Sequence, residues 1–232
     1  MPETSESAFW GYDDLGLFLG AIIPSGLLGA LLVRTLHLTS TPGKTLLFQC
    51  LLYVTLLAAL YTLVSLRYRR PFWRSLGWFM PDTPDLLLCT VNGPLLAIGT
   101  ALLGAILKAP RIKDPIQGLI SGPGSLVVVM LFLIVLGPVF EELVFRGFLF
   151  PLLAKSLGAA GGILLTALPF ALLHGAQNQW AWQQITLIGL AGVAFGYTRY
   201  KTGSTAASTL LHCGFNLMGA VAYAVQWERG IL

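Results

Sequence analysis

Few residues in the apolar part of this chain have side chains that could do chemistry, and they lie at regular spacings. Glu141 and Glu142 are the only acids deep inside an apolar run, and Arg146 completes the pattern E-E-x-x-x-R. Two of the three histidines, His174 and His212, also lie in apolar stretches. A carboxylate near the bilayer centre costs about 2.5–3.5 kcal/mol on insertion scales, so such residues are functional-site hypotheses. The five residues together are typical of a buried reaction centre.

The spacing of the first motif predicts different roles for its two glutamates. On a helix, Glu142 and Arg146 are i,i+4 neighbours and can form an ion pair. Glu141 lies about 100° further around the helix, on a different face. We therefore expect Glu142 to be a structural carboxylate and Glu141 to be free to act on another group. Pro138 lacks a backbone donor and favours a kink just before the pair. The alternative is a helix end in the headgroup region, where the acids are simply solvated.

Two more i,i+4 pairs follow along the chain. Phe170 and His174 lie in the segment LPFALLHG, and His212 and Asn216 lie in TLLHCGFNLMG. Asparagine and histidine can both donate hydrogen bonds, and two donors aimed at one point are what an oxyanion requires. Taken singly, each pair also fits an interfacial histidine or a helix–helix hydrogen bond. The three motifs lie on three separate predicted helices and contain most of the few polar residues of the apolar runs. We therefore expect their side chains to converge on one site.

Composition indicates an integral membrane protein. Hydrophobic residues make up 56% of the 232 residues and charged residues 10%, whereas soluble domains carry about 25% charge. The net charge of +4 and the three scattered cysteines indicate neither a nucleic-acid surface nor a disulfide framework. The acidic N-terminus lacks the positive region of a signal peptide, so we expect the first apolar run to remain as a helix.

The apolar runs predict an all-α fold, a polytopic bundle of about seven (six to eight) transmembrane helices enclosing a polar intramembrane cavity. We expect residues 1–124 to form N-terminal helices with interfacial loops, and residues 125–232 to form the catalytic core of one integrated membrane domain. The runs are Leu15–Leu36, Thr45–Leu66, Leu86–Leu107, Ser125–Phe150, Gly162–His174, Ile185–Tyr200 and Thr205–Val225.

Orientation is indicated only by the basic residues. A cytoplasmic N-terminus places Arg67, Arg69 and Arg70 on the cytoplasmic side, as the positive-inside rule favours. Lys108 would then lie outside, against that rule. We expect the N-terminus to be cytoplasmic, in the plasma membrane (the inner membrane if the source is bacterial).

Two other patterns predict contacts with lipid and between helices. The segment FWRSLGWF contains Trp73, Trp78 and Phe79, which fits either an interfacial segment or an aromatic belt capping two helices. Pairs of glycines spaced by four allow helices to approach closely. The two pairs are Gly16 with Gly20 and Gly192 with Gly196.

The order E-E-x-x-x-R, F-x-x-x-H and H-x-x-x-N resembles the CAAX-protease and bacteriocin-processing family of intramembrane proteases, which includes the type II CAAX prenyl endopeptidases. The motifs span roughly the C-terminal half of the chain. A W-x-S-L-G stretch from Trp73 to Gly77 is similar to one often seen before the core in this family.

The resemblance implies hydrolysis of a peptide bond by an activated water, with no cofactor. Glu141 would be the general base, working with His174, and His212 and Asn216 would stabilise the oxyanion. The substrate would be a hydrophobic or membrane-anchored peptide, including a prenylated CAAX tail, and the other partner would be membrane lipid. The resemblance also implies supporting positions at Glu142, Arg146, Phe145 and Phe170.

Three alternatives remain at this point. Two histidines and a glutamate match the ligand count of catalytic zinc, although there is no H-E-x-x-H helix. A proton-coupled transporter could use the same Glu, His and Arg set as a relay, but it would be expected to show structural repeats, and the sequence contains none. A non-catalytic protein of peptide immunity, or a scaffold, would keep the motifs without hydrolysis.

Overall fold

The computed structural model describes residues 8–36, 41–110, 112, 119–120 and 122–228, and all regular structure in these ranges is helical. The N-terminal half contains five α-helices and one π-helical segment. They are α1 (Tyr12–Gly20), α2 (Ile22–Thr35), α3 (Thr41–Tyr61), π1 (Thr62–Arg67), α4 (Phe72–Ser75) and α5 (Thr83–Ile106). The predicted all-α fold is confirmed.

The C-terminal half begins with an almost continuous helical stretch and ends with two long helices. Its elements are α6 (Pro123–Leu131), π2 (Phe132–Leu136), α7 (Gly137–Glu142), π3 (Leu143–Leu149), α8 (Phe150–Leu173), α9 (Trp182–Thr202) and α10 (Thr205–Glu228). Gly158 has φ +74°, which breaks α8 internally. Gly203, at φ +68°, ends α9, and its N–H bonds to the Arg199 carbonyl. Glycine adopts such positive φ without a steric penalty.

Five helical stretches are long and apolar enough to cross a membrane, which makes this an integral membrane protein. They are Tyr12–Thr35, Gly43–Arg67, Thr83–Ile106, Gly124–Leu173 and Thr205–Val225. The fourth has 50 residues, far more than the roughly 20 needed for one crossing. The break at Gly158 divides it, so seven helical stretches follow in the order of the seven apolar runs. Helix α9 is the stretch that is not among the five candidate spans. It is less apolar than they are, and it packs on α8.

The helix with the two glutamates departs from regular α geometry on both sides of them. The π-helical segment π2 precedes α7, and π3 begins directly after Glu142. Pro138 is buried at the start of α7, where its missing donor weakens the helical ladder. Short π segments inside helices occur frequently at functional sites. The irregularity predicted at Pro138 therefore takes the form of a widened helix around the acidic pair.

The N-terminal half packs directly against this irregular helix. The Trp10 indole donates a hydrogen bond to the Phe148 carbonyl at 3.1 Å, and the two rings stack with centroids 5.6 Å apart. Leu60 and Leu76 are fully buried in the same apolar cluster as Phe148. Residues from α1, α3 and the α4 region thus form part of the packing that fixes π3.

Only one of the two predicted glycine pairs mediates a close approach. A Cβ on Gly192 would lie 3.2 Å from Ala167, and one on Gly196 would lie 3.3 Å from Ile163. Helices α8 and α9 therefore pack closely through these glycines. Among the described residues, no atom lies within 4 Å of a Cβ on Gly16 or Gly20. The prediction for that pair is wrong because both glycines face outward.

The aromatic segment after π1 is exposed at its two ends and buried in its centre. Trp73 and Phe79 are exposed, and Trp78 is half-buried beside Trp73, with ring centroids 5.6 Å apart. Leu76 and Gly77 between them are buried. The segment therefore presents aromatic rings outward while anchoring itself to the bundle through its middle.

Candidate active site

Glu142 is the centre of a buried polar cluster that joins two helices. Its side chain is completely buried, and Arg146 Nη1 donates to Oε1 at 2.7 Å, which confirms the predicted i,i+4 ion pair. From α10, His212 Nδ1 lies 3.1 Å from Oε1, and Ser208 Oγ lies 2.5 Å from Oε2. A buried carboxylate is stable only when its charge and lone pairs are satisfied. Here three side chains perform that task.

Arg146 is also completely buried and is held by more than its carboxylate partner. Its Nη2 donates to the Gly192 carbonyl of α9 at 2.7 Å. The guanidinium lies over the rings of Phe170, at 4.8 Å, and Phe195, at 5.4 Å. A planar guanidinium can make these contacts together, whereas an ammonium cannot. Its Nε has no hydrogen-bond partner among the described residues.

Glu141 faces a different environment, as the helical spacing predicts. Its side chain is 19% exposed, and its Oε1 accepts a hydrogen bond from the Tyr53 hydroxyl at 3.2 Å. Its Oε2 lies 3.9 Å from His212 Nε2. That distance is too long for a direct hydrogen bond. Glu141 is therefore more exposed than Glu142, and it accepts fewer hydrogen bonds from the described residues.

The contacts of His212 determine which of its nitrogens can donate. Because the Glu142 carboxylate can only accept, the Nδ1 atom facing it must carry a proton. The ring stacks on Phe195, with centroids 4.3 Å apart, and is buried. Its Nε2 faces Glu141, and this nitrogen donates only when both ring nitrogens are protonated.

Asn216 lies one turn beyond His212 on α10. Its amide nitrogen donates to the Leu133 carbonyl at 2.8 Å, which ties α10 to the π2 segment two turns before the glutamates. An amide nitrogen carries two hydrogens, so this bond uses one of them. The orientation of Asn216 is thereby fixed.

His174 lies at the C-terminal end of α8 and is half-buried. Its Nδ1 is 2.8 Å from the Phe170 carbonyl, which can only accept, so Nδ1 carries the proton and a neutral His174 has an accepting Nε2. No ion pair or hydrogen bond joins His174 to Glu141 within the described ranges. The Phe170 ring lies 4.9 Å from the His174 ring and 5.8 Å from the His212 ring. The two histidines thus flank one aromatic side chain.

Phe145 and Phe170, both expected to support the site, are buried against each other. Their rings meet edge to face with centroids 5.4 Å apart. Phe170 contacts both histidines and the Arg146 guanidinium. The Phe170 ring therefore packs against the ion pair and against both histidines.

Sequence reasoning missed three residues with roles around this cluster. Ser208 lies four residues before His212, so extending the i,i+4 series backwards would have found it. Tyr53 lies 88 residues from its partner Glu141, and no local pattern indicates that contact. Arg199 is buried, and its Nε donates to the Arg146 carbonyl at 3.2 Å and to Thr205 Oγ1 at 3.1 Å.

The W-x-S-L-G stretch contacts the same region from the N-terminal half. Thr205 Oγ1 donates to the Leu76 carbonyl at 2.6 Å, and the Thr205 N–H donates to the Gly77 carbonyl at 2.8 Å. Gly77 has φ +68°, and a Cβ there would lie 2.6 Å from Arg199 Nη2. The stretch therefore fixes the start of α10, on which His212 and Asn216 lie.

The donor set does not match what a metal ion requires. Over the described residues, no three His, Cys, Asp or Glu side chains are grouped so that they could hold one. Glu142, the nearest carboxylate to His212, already binds Arg146 and Ser208. The arrangement does not provide the three-ligand set of catalytic zinc.

Comparison with known proteins agrees with the family resemblance of the motifs. Residues 123–218 match the family model described as Rce1-like, type II CAAX prenyl endopeptidase. This range contains all three motifs and every site residue discussed above except Tyr53 and the W-x-S-L-G stretch. Comparisons with curated proteins and with solved structures gave no match. Residues 123–218, less than half of the 232-residue chain, are thus similar to the Rce1-like family of type II CAAX prenyl endopeptidases.

Proposed function

We propose that this protein is an intramembrane endopeptidase in which Glu141 activates a water molecule. The observation that carries the proposal is the placement of Glu141. It is the one partly exposed carboxylate at the buried Glu142–Arg146–His212 cluster, and its Oε2 faces His212 Nε2 at 3.9 Å. A partly exposed carboxylate that faces a histidine nitrogen suits general-base catalysis.

The proposed reaction begins with a water between Glu141 and the scissile carbonyl. Glu141, assisted by the accepting Nε2 of His174, takes a proton while the water oxygen bonds to the carbonyl carbon. The resulting oxyanion is stabilised by donors from α10, which are the Asn216 amide and, when its Nε2 carries a proton, the His212 ring. The C–N bond then breaks, and the proton held by Glu141 passes to the leaving amine.

Glu142 and Arg146 serve this reaction without touching the substrate. Glu142 holds Nδ1 of His212, and Arg146 neutralises Glu142 while packing on Phe170. These contacts supply the fixed geometry that oxyanion stabilisation requires. The mechanism we propose is glutamate-dependent and metal-free.

The substrate class we propose is a hydrophobic or membrane-anchored peptide, including peptides with a prenylated CAAX tail. The support is the family of residues 123–218 together with the position of the glutamates inside a membrane-spanning helix. We further propose that the N-terminus faces the cytoplasm in the plasma membrane, and that residues 125–232 form the catalytic core.

The experiment is cleavage of lipidated and unlipidated peptides by purified protein in liposomes, comparing wild type with Glu141→Gln. We expect kcat to fall at least about 100-fold, since general-base catalysis contributes about 10²–10⁴. Asp13→Asn, at an exposed acid on α1, is the control and should cleave like wild type.

Each remaining outcome identifies a different alternative. Activity abolished by a chelator in the wild type would replace the proposed mechanism with a metal-dependent one. Glu141→Gln cleaving like wild type would exclude the role of Glu141. An absence of cleavage for every peptide, combined with proton-coupled flux in the same liposomes, would favour a transporter, and without flux it would favour a scaffold.

A further inference from the structure

Tyr53 connects the N-terminal half of the protein to the proposed general base. It lies in α3, outside the family-matched residues 123–218. Its hydroxyl donates to Glu141 Oε1 at 3.2 Å, while the second oxygen of that carboxylate, Oε2, faces His212 Nε2 at 3.9 Å. The two oxygens of Glu141 therefore have separate surroundings.

The ring of Tyr53 is fixed by aromatic packing on the glutamate helix. It is parallel to Phe140 within 13°, with centroids 3.8 Å apart, and it stacks on Phe132 at 5.7 Å with the same angle. Phe140 directly precedes Glu141 in the chain. Since both neighbours belong to the helical stretch that contains Glu141, the Tyr53 ring is packed against the same stretch as the carboxylate that its hydroxyl binds.

The direction of the hydrogen bond follows from its partners. An ionised carboxylate accepts only, so the Tyr53 hydroxyl donates to Glu141. The Gln49 side chain lies one turn earlier on α3 and interacts electrostatically with this hydroxyl. The hydroxyl thus faces protein groups, the Glu141 carboxylate and the Gln49 amide.

We propose that Tyr53 is a positioning residue of the active site, holding one oxygen of Glu141 so that the other faces His212 and the attacking water. This inference rests on the proposed proteolytic function. The terminal torsion of a glutamate side chain is broad and roughly two-fold. A hydrogen bond to one oxygen limits rotation about it, which keeps the second oxygen in the reactive direction.

The test is Tyr53→Phe, which removes the hydroxyl and keeps the ring. We expect kcat to fall about 10-fold to 100-fold, the range for losing a hydrogen bond to a charged group, with KM unchanged because the hydroxyl binds protein groups. The melting temperature should stay near that of wild type because the stacking on Phe140 and Phe132 remains. Tyr61→Phe is the matched control, since Tyr61 lies two turns further along α3 and is exposed.

A double variant separates positioning of Glu141 from a general effect on the fold. Glu141→Asp withdraws the carboxylate by one methylene and should already weaken the contact with Tyr53. Adding Tyr53→Phe to this variant should therefore lower kcat less than it does in the wild type, which is the non-additivity expected of contacting residues.

Several outcomes would overturn the role of Tyr53 while leaving the proposed function standing. They are a Tyr53→Phe variant with wild-type kcat, one that changes KM or the melting temperature in step with kcat, or an undiminished penalty in the Glu141→Asp background. A Glu141→Gln variant that cleaves normally would instead overturn the proposed function itself.

Discussion

Glu142 and Arg146 neutralise each other inside an apolar bundle, and both are fully buried. Breaking such a pair leaves one charge without compensation, whereas replacing both members is often tolerated. We therefore expect the loss of one member of the pair to destabilise the protein more than the loss of both. Ser208 and His212 add hydrogen bonds that make Glu142 the more connected of the two.

At this scale we expect Arg146→Met to destabilise the protein by about 3–5 kcal/mol, because it strands the Glu142 charge. Thermal unfolding in detergent measures the effect. Arg74→Met, at an exposed arginine on α4, is the control and should change the melting temperature little. Combining Arg146→Met with Glu142→Gln should recover part of the loss. A double variant less stable than Arg146→Met alone would contradict this view of the pair.

At the scale of the elements, the site depends on how α10 is attached to the rest of the bundle. The start of α10 bonds to the carbonyls of Leu76 and Gly77, and Arg199 of α9 fills the space beside Gly77. Further along, Asn216 bonds to Leu133 in π2. These two attachments, at the start of α10 and at Asn216, fix the rotation of α10 about its axis and its position along that axis. They thereby fix the position of His212.

Gly77 is the position where this attachment is most sensitive to substitution. Gly77→Ala would place a Cβ 2.6 Å from Arg199 Nη2 and 3.2 Å from the Gly203 carbonyl. It would also force alanine to φ +68°, which alone costs about 1–2 kcal/mol. We expect a clear fall in the melting temperature, measured in detergent. Gly16→Ala, in α1 with open space around it, should be neutral or slightly stabilising, and an equal loss in both variants would refute the argument.

The sequence allowed the helices and the local pairs to be predicted because both depend on short-range spacing. The apolar runs correspond to the helices in order, and the ion pair of Glu142 with Arg146 follows from i,i+4 geometry alone. The π segments around α7 were not predicted, since hydrophobic periodicity does not separate π from α turns. The contact of Tyr53 with Glu141 depends on how α3 packs against α7, and spacing along the chain carries no information on it.

At the scale of the whole molecule, the proposed catalytic core packs against helices that precede it. The Trp10 indole bonds to the Phe148 carbonyl, and Lys155 Nζ donates to the Ala8 carbonyl at 3.1 Å. With Tyr53 and the W-x-S-L-G stretch, these contacts join the N-terminal half to the glutamate helix and to α10. Much of the outer surface consists of exposed leucine, isoleucine and valine, as expected for a surface that faces lipid.

The proposed orientation makes a prediction for labelling with a membrane-impermeant maleimide. In a background with Cys50, Cys89 and Cys213 replaced by alanine, Lys44→Cys should react in intact cells. Arg74→Cys should react only after permeabilisation, because one further crossing separates these two exposed positions. The reverse pattern would place the N-terminus outside, and it would leave the geometry of the site unchanged.

The ion pair of Glu142 with Arg146 has a consequence for how the protein enters the membrane during synthesis. Both charges lie on the same helix one turn apart, so the pair can form as soon as that turn is made. The helix can then leave the translocon carrying its own counter-ion, without waiting for α9 or α10. Glu141 has no such partner on its own helix. The hydroxyl that donates to Glu141 belongs to Tyr53 on α3, which is synthesised earlier. Its hydrogen-bond donor is therefore already part of the chain when Glu141 is added.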